Sequence, residues 1–273
     1  MDASSEDGYE LWLRYRKLDD PSLLGQYRNA IHCATVLGKS PIADAIRREL
    51  ARALPAILDQ AVPLSDRTRA CNSLVVGTAG ELDAIGVSLS QADYRRLGED
   101  GFTIRSLPFA GNHWILITGI SGPAILAGIF HFLRLLQTHR DIHALDVSVC
   151  PRIRHRILCH WDNIDGSIER GYAGGSLWNW EELPGIAGTR LVDYARACAS
   201  IGLNGTVLNN VNAQPESLST EYLRKTAALA DLFRPYCIRV YLSPLFSAPV
   251  QLGGLGTSDP RCPEVSEWWK RKV

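Results

Sequence analysis

Apolar residues in the first part of the chain follow first a strand-like and then a helix-like spacing. Residues 31–37 form a short β-type run, and Ser40 with Pro41 supplies a cap and a first-turn proline for a helix. A helical stripe then follows, made of Ile42, Ile46, Leu50, Leu54 and Leu58. Pro55 lies inside this stripe and is expected to kink or end the helix.

The next apolar segments predict a sheet that is covered by helices. Residues 74–77 read as a buried strand, and residues 102–109 and 113–120 read as a strand pair joined through residues 110–112. Apolar residues between 125 and 136 then recur at helical spacing. We therefore expect residues 1–150 to form an α/β sandwich domain, with helices covering one face of a small sheet.

From about residue 151 strands and helices alternate, which is typical of βα units in a parallel sheet. The predicted strands are residues 156–160, 206–208 and 238–242, and the predicted helices are 192–201, 218–233 and one beginning near 264. No glycine-rich phosphate loop follows a strand, so the pattern does not support a nucleotide-binding fold. It favours a (β/α)8 TIM barrel, which needs about eight strands. We expect residues 151–273 to be the first three βα units of a truncated barrel.

Polar and aromatic residues follow each of the three predicted parallel strands. The segments are HWDN at 160–163, LNNVN at 208–212 and SPLF at 243–246. The carboxyl ends of barrel strands are where active sites assemble. Trp161 offers an apolar face to a pyranose ring, and three asparagines can bind hydroxyl groups: Asn209, Asn210 and Asn212.

Composition excludes several classes of function. The 29 basic and 29 acidic residues balance, and no basic cluster indicates a nucleic-acid partner. The longest apolar stretch, residues 125–136, is too short to span a bilayer, and no signal peptide precedes it, so we expect a cytoplasmic protein without a membrane partner. Seven cysteines without a CxxC pair predict buried reduced thiols and no metal or organic cofactor.

Four segments resemble one family in the correct order along the chain. Residues 160–174, HWDNIDGSIERGYAG, resemble the sequence that opens the catalytic barrel of glycoside hydrolase family 67 α-glucuronidases. Residues 202–213 resemble the family's second-strand segment, and residues 234–260 resemble the third. DGYELWLRY at 7–15 resembles the start of its N-terminal domain. Such long ordered motifs are far more specific than a short pattern.

The resemblance implies removal of glucuronic acid, or its 4-O-methyl ether, from glucuronoxylan-derived oligosaccharides with inversion. In the family the general acid lies in a segment similar to KANSEGQPGP and the base carboxylates lie farther on. We therefore expect the catalytic residues beyond residue 273 and no activity from this chain alone. The resemblance also implies that the full-length form is a homodimer through a C-terminal domain. It assigns substrate binding to Trp161, Asn210, Val211 and Asn212.

Departures from the family pattern leave two alternatives open. Cys159, Cys198, Cys237 and Pro244 replace residues that are usual in the family. One alternative is a fragment of another TIM-barrel glycosidase, since the N-terminal sandwich resembles the accessory domain of β-hexosaminidases. The other is a non-catalytic carbohydrate-binding remnant.

Some residues near the predicted site are expected to be structural. Charged side chains in a loop after a strand are more often ion pairs or caps than catalysts, which applies to Asp162, Asp165, Glu169 and Arg170. Four tryptophans are expected in packing: Trp178, Trp180, Trp268 and Trp269. We expect His160 to have its hydrogen bonds satisfied and Asn209 to bind backbone.

Overall fold

The computed structural model describes residues 7–171, 174–185, 188–212 and 214–272. It contains two compact units. The first comprises the chain up to Arg154 together with Arg196–Gly202, and the second comprises His155–Ala195 and Leu203 onwards. The boundaries 1–150 and 151–273 remain a prediction, because compactness alone does not show where a chain folds independently.

The first unit contains a mixed sheet of six strands. The strands are β1 Cys33–Val36, β2 Leu64–Ser65, β3 Ser73–Thr78, β4 Phe102–Phe109, β5 Asn112–Gly119 and β6 Asp146–Val149. Their order is β2-β1-β3-β5-β4-β6, with β1 parallel to β2 and β3, β3 parallel to β5, and β4 antiparallel to β5 and β6. Its helices are α1 Pro21–Ala30, α2 Pro41–Leu58, α3 Ala79–Asp83, α4 Gln91–Leu97 and α5 Gly122–Gln137.

Side chains of helices and loops cover both faces of this sheet, whereas the sequence predicted helices on one face only. Helix α5 packs closely on one face: a Cβ at Gly128 would lie 2.6 Å from Cγ2 of Ile117. The neighbouring Leu116 points to the opposite face, since adjacent strand residues alternate. There a second cluster forms from Leu37, Val75, Leu82, Val87, Trp114 and Leu116. Helix α3 and the segment after it thus cover the face that the sequence left open.

Helix α2 begins as predicted but continues past Pro55. The Ser40 hydroxyl accepts a hydrogen bond from the backbone N–H of Ala43 at 3.1 Å, which caps the first turn. Of the two effects expected of Pro55, an end of the helix is wrong, because the helix continues to Leu58, whereas a kink stays a prediction. A proline removes one intrahelical hydrogen bond. Here the last turn is held by side chains that are fully buried: Leu54, Ile57 and Leu58.

A disulfide corrects the expectation that the cysteines are all reduced thiols. Cys33, at the start of β1, is bonded to Cys71, just before β3. The pairing follows from the sheet, because Cys33 lies opposite Ser73 in the parallel register of β1 and β3. Among the other cysteines, Cys198 is buried. A spacing of 38 residues carries no CxxC-type signal, so only the strand pairing could have revealed the bond.

A buried ion pair lies within the first unit. The guanidinium of Arg196 donates to both carboxylate oxygens of Glu49, at 2.7 and 2.9 Å, and to the backbone carbonyl of Leu13 at 3.2 Å. The hydroxyl of Tyr15 also donates to Glu49. Burial and the Glu49 carboxylate raise the pKa of Tyr15 above its ordinary value. Breaking one member of such a cluster typically costs about 3–5 kcal/mol.

The second unit contains a parallel sheet of three short strands. They are β7 Ile157–Cys159, β8 Gly205–Val207 and β9 Arg239–Tyr241, in the order β7-β8-β9. The helices are α6 Thr189–Ser200, α7 Thr220–Phe233, α8 Ala248–Gln251 and α9 Pro263–Lys272, and α6 contributes its residues from Arg196 to the first unit. The predicted alternation of strand and helix is confirmed. In the part of the chain that the structure describes, no helix is both long and apolar enough to cross a bilayer.

Candidate functional site

The loops that follow β7 and β8 lie side by side. The two strands are in parallel register, with Ile157 opposite Gly205 and Cys159 opposite Val207. A Cβ at Gly205 would lie 2.8 Å from the ring of Tyr241 and 3.1 Å from the Ile157 side chain, so the three strands approach closely at this glycine. Residues 160–163 and 208–212 therefore emerge at one edge of the sheet.

Two of the predicted substrate-binding side chains are exposed at this edge. Trp161 has 53% of its surface exposed and Val211 has 61%. Exposed apolar side chains that lie together can mark a ligand-binding groove. About half or more of the surface of each side chain is therefore accessible at this edge.

The other two predicted side chains are engaged with neighbouring loops. Asn210 is buried, and its Nδ2 donates to Oδ1 of Asn163 at 2.7 Å. Its Oδ1 accepts from the backbone N–H of Asn212 at 2.7 Å. Nδ2 of Asn212 donates to Oε1 of Glu169 at 2.9 Å. These contacts hold the β8 loop against the β7 loop, so both asparagines organise the edge on which Trp161 and Val211 lie.

Asp162 closes the long loop that follows β7. Its Oδ2 accepts from the Ser176 hydroxyl at 2.6 Å and from the backbone N–H of Leu177 at 3.2 Å. The backbone of Asp162 also forms a bridge with Ile168. Asp162 is buried and its carboxylate binds both a hydroxyl and an N–H, so a structural role accounts for it, as predicted.

His160 belongs to a hydrogen-bonded chain beneath this loop. Its Nε2 pairs with the Tyr194 hydroxyl at 2.8 Å, which pairs in turn with the Thr206 hydroxyl at 2.8 Å. Burial lowers the pKa of His160, and the Asp162 carboxylate, 3.9 Å from Nδ1, partly offsets this shift. The satisfied histidine predicted from the sequence is confirmed. Trp178 packs against this ring and donates to the carbonyl of Leu208 at 2.9 Å.

Asn209 joins the ends of β8 and β9. Its Nδ2 donates to the Ser243 carbonyl at 3.0 Å, and its Oδ1 accepts from the Ser243 backbone N–H at 2.9 Å. The prediction that Asn209 binds backbone is confirmed. Because both ends of the amide bind the segment just after β9, Asn209 holds the ends of β8 and β9 together.

The enclosed cavity beneath these strand ends is too small for a sugar. Its volume is about 10 Å³, and its lining includes Asp162, Asn209 and Trp180. That is room for about one water molecule. Within the described ranges no group of three or more His, Cys, Asp or Glu side chains could hold a metal ion.

Sequence reasoning did not single out the partners that fix this edge. Asn163, Ser176 and Tyr194 position Asn210, Asp162 and His160, yet each is a common polar residue with no local pattern. Asn163 and Ser176 lie inside the HWDNIDGSIERGYAG motif and its immediate continuation, so the motif's length was the available signal. Tyr194 lies on α6 and had no signal at all.

Comparison with known proteins gives matches over nearly the whole chain. Residues 11–132 match the glycosyl hydrolase family 67 N-terminus, and residues 135–273 match the glycosyl hydrolase family 67 middle domain. Alpha-glucuronidase A of Emericella nidulans is 34% identical over 276 residues, covering 98% of this chain and 32% of that protein. The probable alpha-glucuronidase A of Aspergillus oryzae is 33% identical, covering 98% of this chain and 31% of that protein.

Solved structures share the fold at low sequence identity. A glycoside hydrolase family 115 4-O-methyl-α-glucuronidase with specificity for decorated arabinogalactans superposes with a TM-score of 0.60 at 14% identity, over 89% of this chain and 34% of that chain. A family 138 enzyme targeting pectin rhamnogalacturonan II superposes with a TM-score of 0.54 at 15% identity, over 88% of this chain and 28% of that chain. Such likenesses show the fold alone.

The family matches are the informative ones, because together they extend over both units and contain the three motifs that follow β7, β8 and β9. The chain spans about a third of the length of the curated relatives it matches. The chain belongs to glycosyl hydrolase family 67, of which it carries the N-terminal and middle-domain sequences.

Proposed function

We propose that this chain supplies the accessory domain and one wall of the sugar pocket of an α-glucuronidase that acts on glucuronoxylan-derived oligosaccharides. In this proposal the second unit is the first part of a (β/α)8 TIM barrel. The acid and base carboxylates are expected in the part of the relatives that this chain does not span. The observation that supports the proposal is the pair of exposed apolar side chains, Trp161 and Val211, on adjacent parallel strand ends.

The chemistry of this edge suits the non-reacting part of a uronic acid. A pyranose presents C–H groups on its ring faces, which pack on an indole, and hydroxyl groups at its rim. Trp161 offers the indole face, and Val211 offers a small apolar surface at the neighbouring strand end. Trp161 lies two residues after the end of β7 and Val211 lies four residues after the end of β8, so both are close to the ends of neighbouring strands.

This chain's residues then bind and orient the sugar, and do not transfer protons. In an inverting glycosidase the two carboxyl groups stand about 6.5–9.5 Å apart, with a water on the opposite face from the leaving group. Asp162 and Glu169 are given structural roles in this proposal, because hydrogen bonds within and between the loops engage Oδ2 of Asp162 and Oε1 of Glu169. The wall they support fixes the ring so that the reacting carbon faces groups supplied by the remainder of the barrel.

A complementation experiment tests the proposal. The chain alone should not hydrolyse aldouronic acids, because the missing acid and base groups each contribute about 10²–10⁴-fold. A chimera in which this chain replaces the matching third of Emericella nidulans alpha-glucuronidase A should hydrolyse them. The controls are the unmodified relative and its remaining two thirds expressed without this chain.

The outcomes separate the three interpretations. Turnover by the chimera, and none by either part, supports the proposal. A folded chimera that is inactive on aldouronic acids but cleaves another glycoside indicates a different glycosidase specificity. Binding of aldouronic acids by the isolated chain, with no activity from a folded chimera, indicates a carbohydrate-binding remnant. The last two outcomes both contradict the proposed activity.

A further inference from the structure

We propose that Glu169 is a positioning residue that fixes Trp161 and Val211 relative to each other, and so sets the width of the sugar-binding edge. The proposal rests on the proposed function only in what the edge binds. The contacts themselves are properties of the loops after β7 and β8.

Glu169 holds the backbone of Trp161. Its N–H donates to the carbonyl of Trp161, eight positions earlier in the chain, at 2.8 Å. The same carbonyl also lies 3.4 Å from Nδ2 of Asn210, a second and longer contact. The peptide that carries the exposed indole is therefore fixed from two directions, by the far end of its own loop and by the β8 loop.

The side chain of Glu169 holds the segment around Val211. Its Oε1 accepts from Nδ2 of Asn212 at 2.9 Å, and the backbone of Asn212 is bonded to Asn210 at 2.7 Å. Val211 lies between these two asparagines and cannot shift without disturbing one of the two bonds. One residue thus bonds to Trp161 through its backbone and to the neighbour of Val211 through its carboxylate.

The environment of Glu169 favours this role over proton transfer. Only 16% of its side chain is exposed, and the Oε1 that binds Asn212 also faces Nε of Arg170 at 3.7 Å. Hydrogen bonds to a charged acceptor are about twice as strong as neutral ones. The hydrogen bond between the Glu169 carboxylate and Asn212 is therefore a rigid brace between the β7 loop and the β8 loop.

Asp165 provides a matched control in the same loop. Its carboxylate accepts from the backbone N–H of Ser167 at 3.0 Å and from the Ser167 hydroxyl at 2.6 Å. Both of these contacts stay within the β7 loop and do not reach the β8 loop. Asp165→Ala therefore removes a loop carboxylate of the same charge without removing the brace.

The first test uses the 273-residue chain and needs no ligand. The indole N–H signal of Trp161 is assigned in the ¹⁵N spectrum by its loss in Trp161→Phe. Glu169→Ala keeps the backbone bond to Trp161 but releases Asn212, and the β8 loop that is thereby loosened also contacts the Trp161 carbonyl through Asn210. We therefore expect Glu169→Ala to shift or broaden this signal, and Glu169→Gln, which keeps an oxygen acceptor for Asn212, to leave it close to the original. Asp165→Ala should also leave it unchanged. An unchanged signal in Glu169→Ala, with the fold intact by the remaining indole signals, overturns the proposal.

The second test measures steady-state kinetics of the same variants in the active chimera. Since the wall binds the sugar in the ground state, Glu169→Ala should raise KM about tenfold with kcat nearly unchanged. Glu169→Gln should restore most of this loss, and Glu169→Ala should add little in an Asn212→Ala background. If Glu169→Gln behaves like Glu169→Ala, the acceptor geometry is not what matters and the proposal is wrong.

Trp161→Ala, measured in parallel, separates the two proposals. If Trp161→Ala leaves kcat and KM unchanged while Glu169→Ala shifts the Trp161 indole signal, the positioning role of Glu169 is supported and the sugar-binding role of the edge is contradicted. If Trp161→Ala lowers efficiency while Glu169→Ala changes neither the signal nor KM, the edge stands and the brace fails.

Discussion

The two sheets of this chain differ in how completely they are buried. In the six-stranded sheet, β1 and the first five residues of β3 are buried, and helices and a second apolar cluster cover its two faces. In the three-stranded sheet, β7 has no buried residue, and Leu158 at its centre is 40% exposed. The central strands of both sheets are parallel, so the direction of the strands does not explain the difference in burial.

The difference in burial shows how far each sheet is stabilised by side chains of its own unit. A sheet buried on both faces derives its stability from its own side chains, at about 25 cal/mol for each Å² of apolar surface buried. A sheet whose outer strands are exposed leaves apolar surface and backbone edges for other segments to cover. The sheet of the first unit is thus covered on both faces by side chains of that unit. The sheet of the second unit is less buried, and the loops at its strand ends carry the exposed side chains of Trp161 and Val211.

The largest expected contrast is between matched truncations in β5 and β7. Ile117→Ala removes a fully buried side chain that contacts α5, and should lower the opening free energy of the six-stranded sheet by about 2–5 kcal/mol. Leu158→Ala removes a side chain that is already 40% exposed. It should lower the opening free energy of the three-stranded sheet by less than about 1 kcal/mol. Hydrogen exchange read by mass spectrometry reports the two sheets separately. Equal losses would contradict the contrast between the sheets.

A smaller contrast is expected in the response to acid. Burial lowers the pKa of one histidine in each unit, His131 in α5 and His160 after β7. Repulsion from Arg134 adds to the shift at His131, whereas Asp162 partly offsets it at His160. A lowered folded pKa means that the unfolded state takes up protons first, so stability is complete above about pH 6.5 and falls as pH decreases below it.

The corresponding measurement compares two glutamine variants. Unfolding free energy between pH 7.5 and 5 should lose part of its acid dependence in His131→Gln, and a smaller part in His160→Gln. Exchange of the α5 amides and of the β8 amides distinguishes the units. An acid dependence that His131→Gln leaves intact would show that other groups, and not this histidine, carry the effect.

The sequence predicted most elements that are marked by strong periodicity. Helix α5 and the β4–β5 pair follow from apolar spacing, and Ala110 and Gly111 form the turn with positive φ at both positions, 49° and 78°. Strand β6 was missed, because its residues alternate between exposed and half-buried and carry little apolar signal. Helix α1 was missed as well, although Asp20 caps it at 2.8 Å from the Ser22 N–H.

Part of the candidate site could also be predicted from the sequence, and part could not. The motif placed Trp161 and Val211 on adjacent strand ends, since the carboxyl ends of parallel strands meet at one edge. It could not show that Asn210 is buried and bonded to Asn163, because that contact joins residues 47 positions apart. Contacts between loops depend on tertiary register, which no local spacing encodes, and the role of Glu169 emerges only from them.

The most direct measurement of the central claim compares two tryptophans of the second unit in the active chimera. Trp161 is 53% exposed at the end of β7, whereas Trp178 is buried and bonded to the Leu208 carbonyl. Trp161→Ala should lower kcat/KM for aldouronic acids at least about tenfold while Tm changes little, since a lost aromatic contact with a ligand typically costs about 2 kcal/mol. Trp178→Ala should instead lower stability by about 3–5 kcal/mol. If Trp161→Ala leaves kcat/KM intact and lowers Tm as Trp178→Ala does, Trp161 is a packing residue and this edge of the sheet is not a sugar-binding wall.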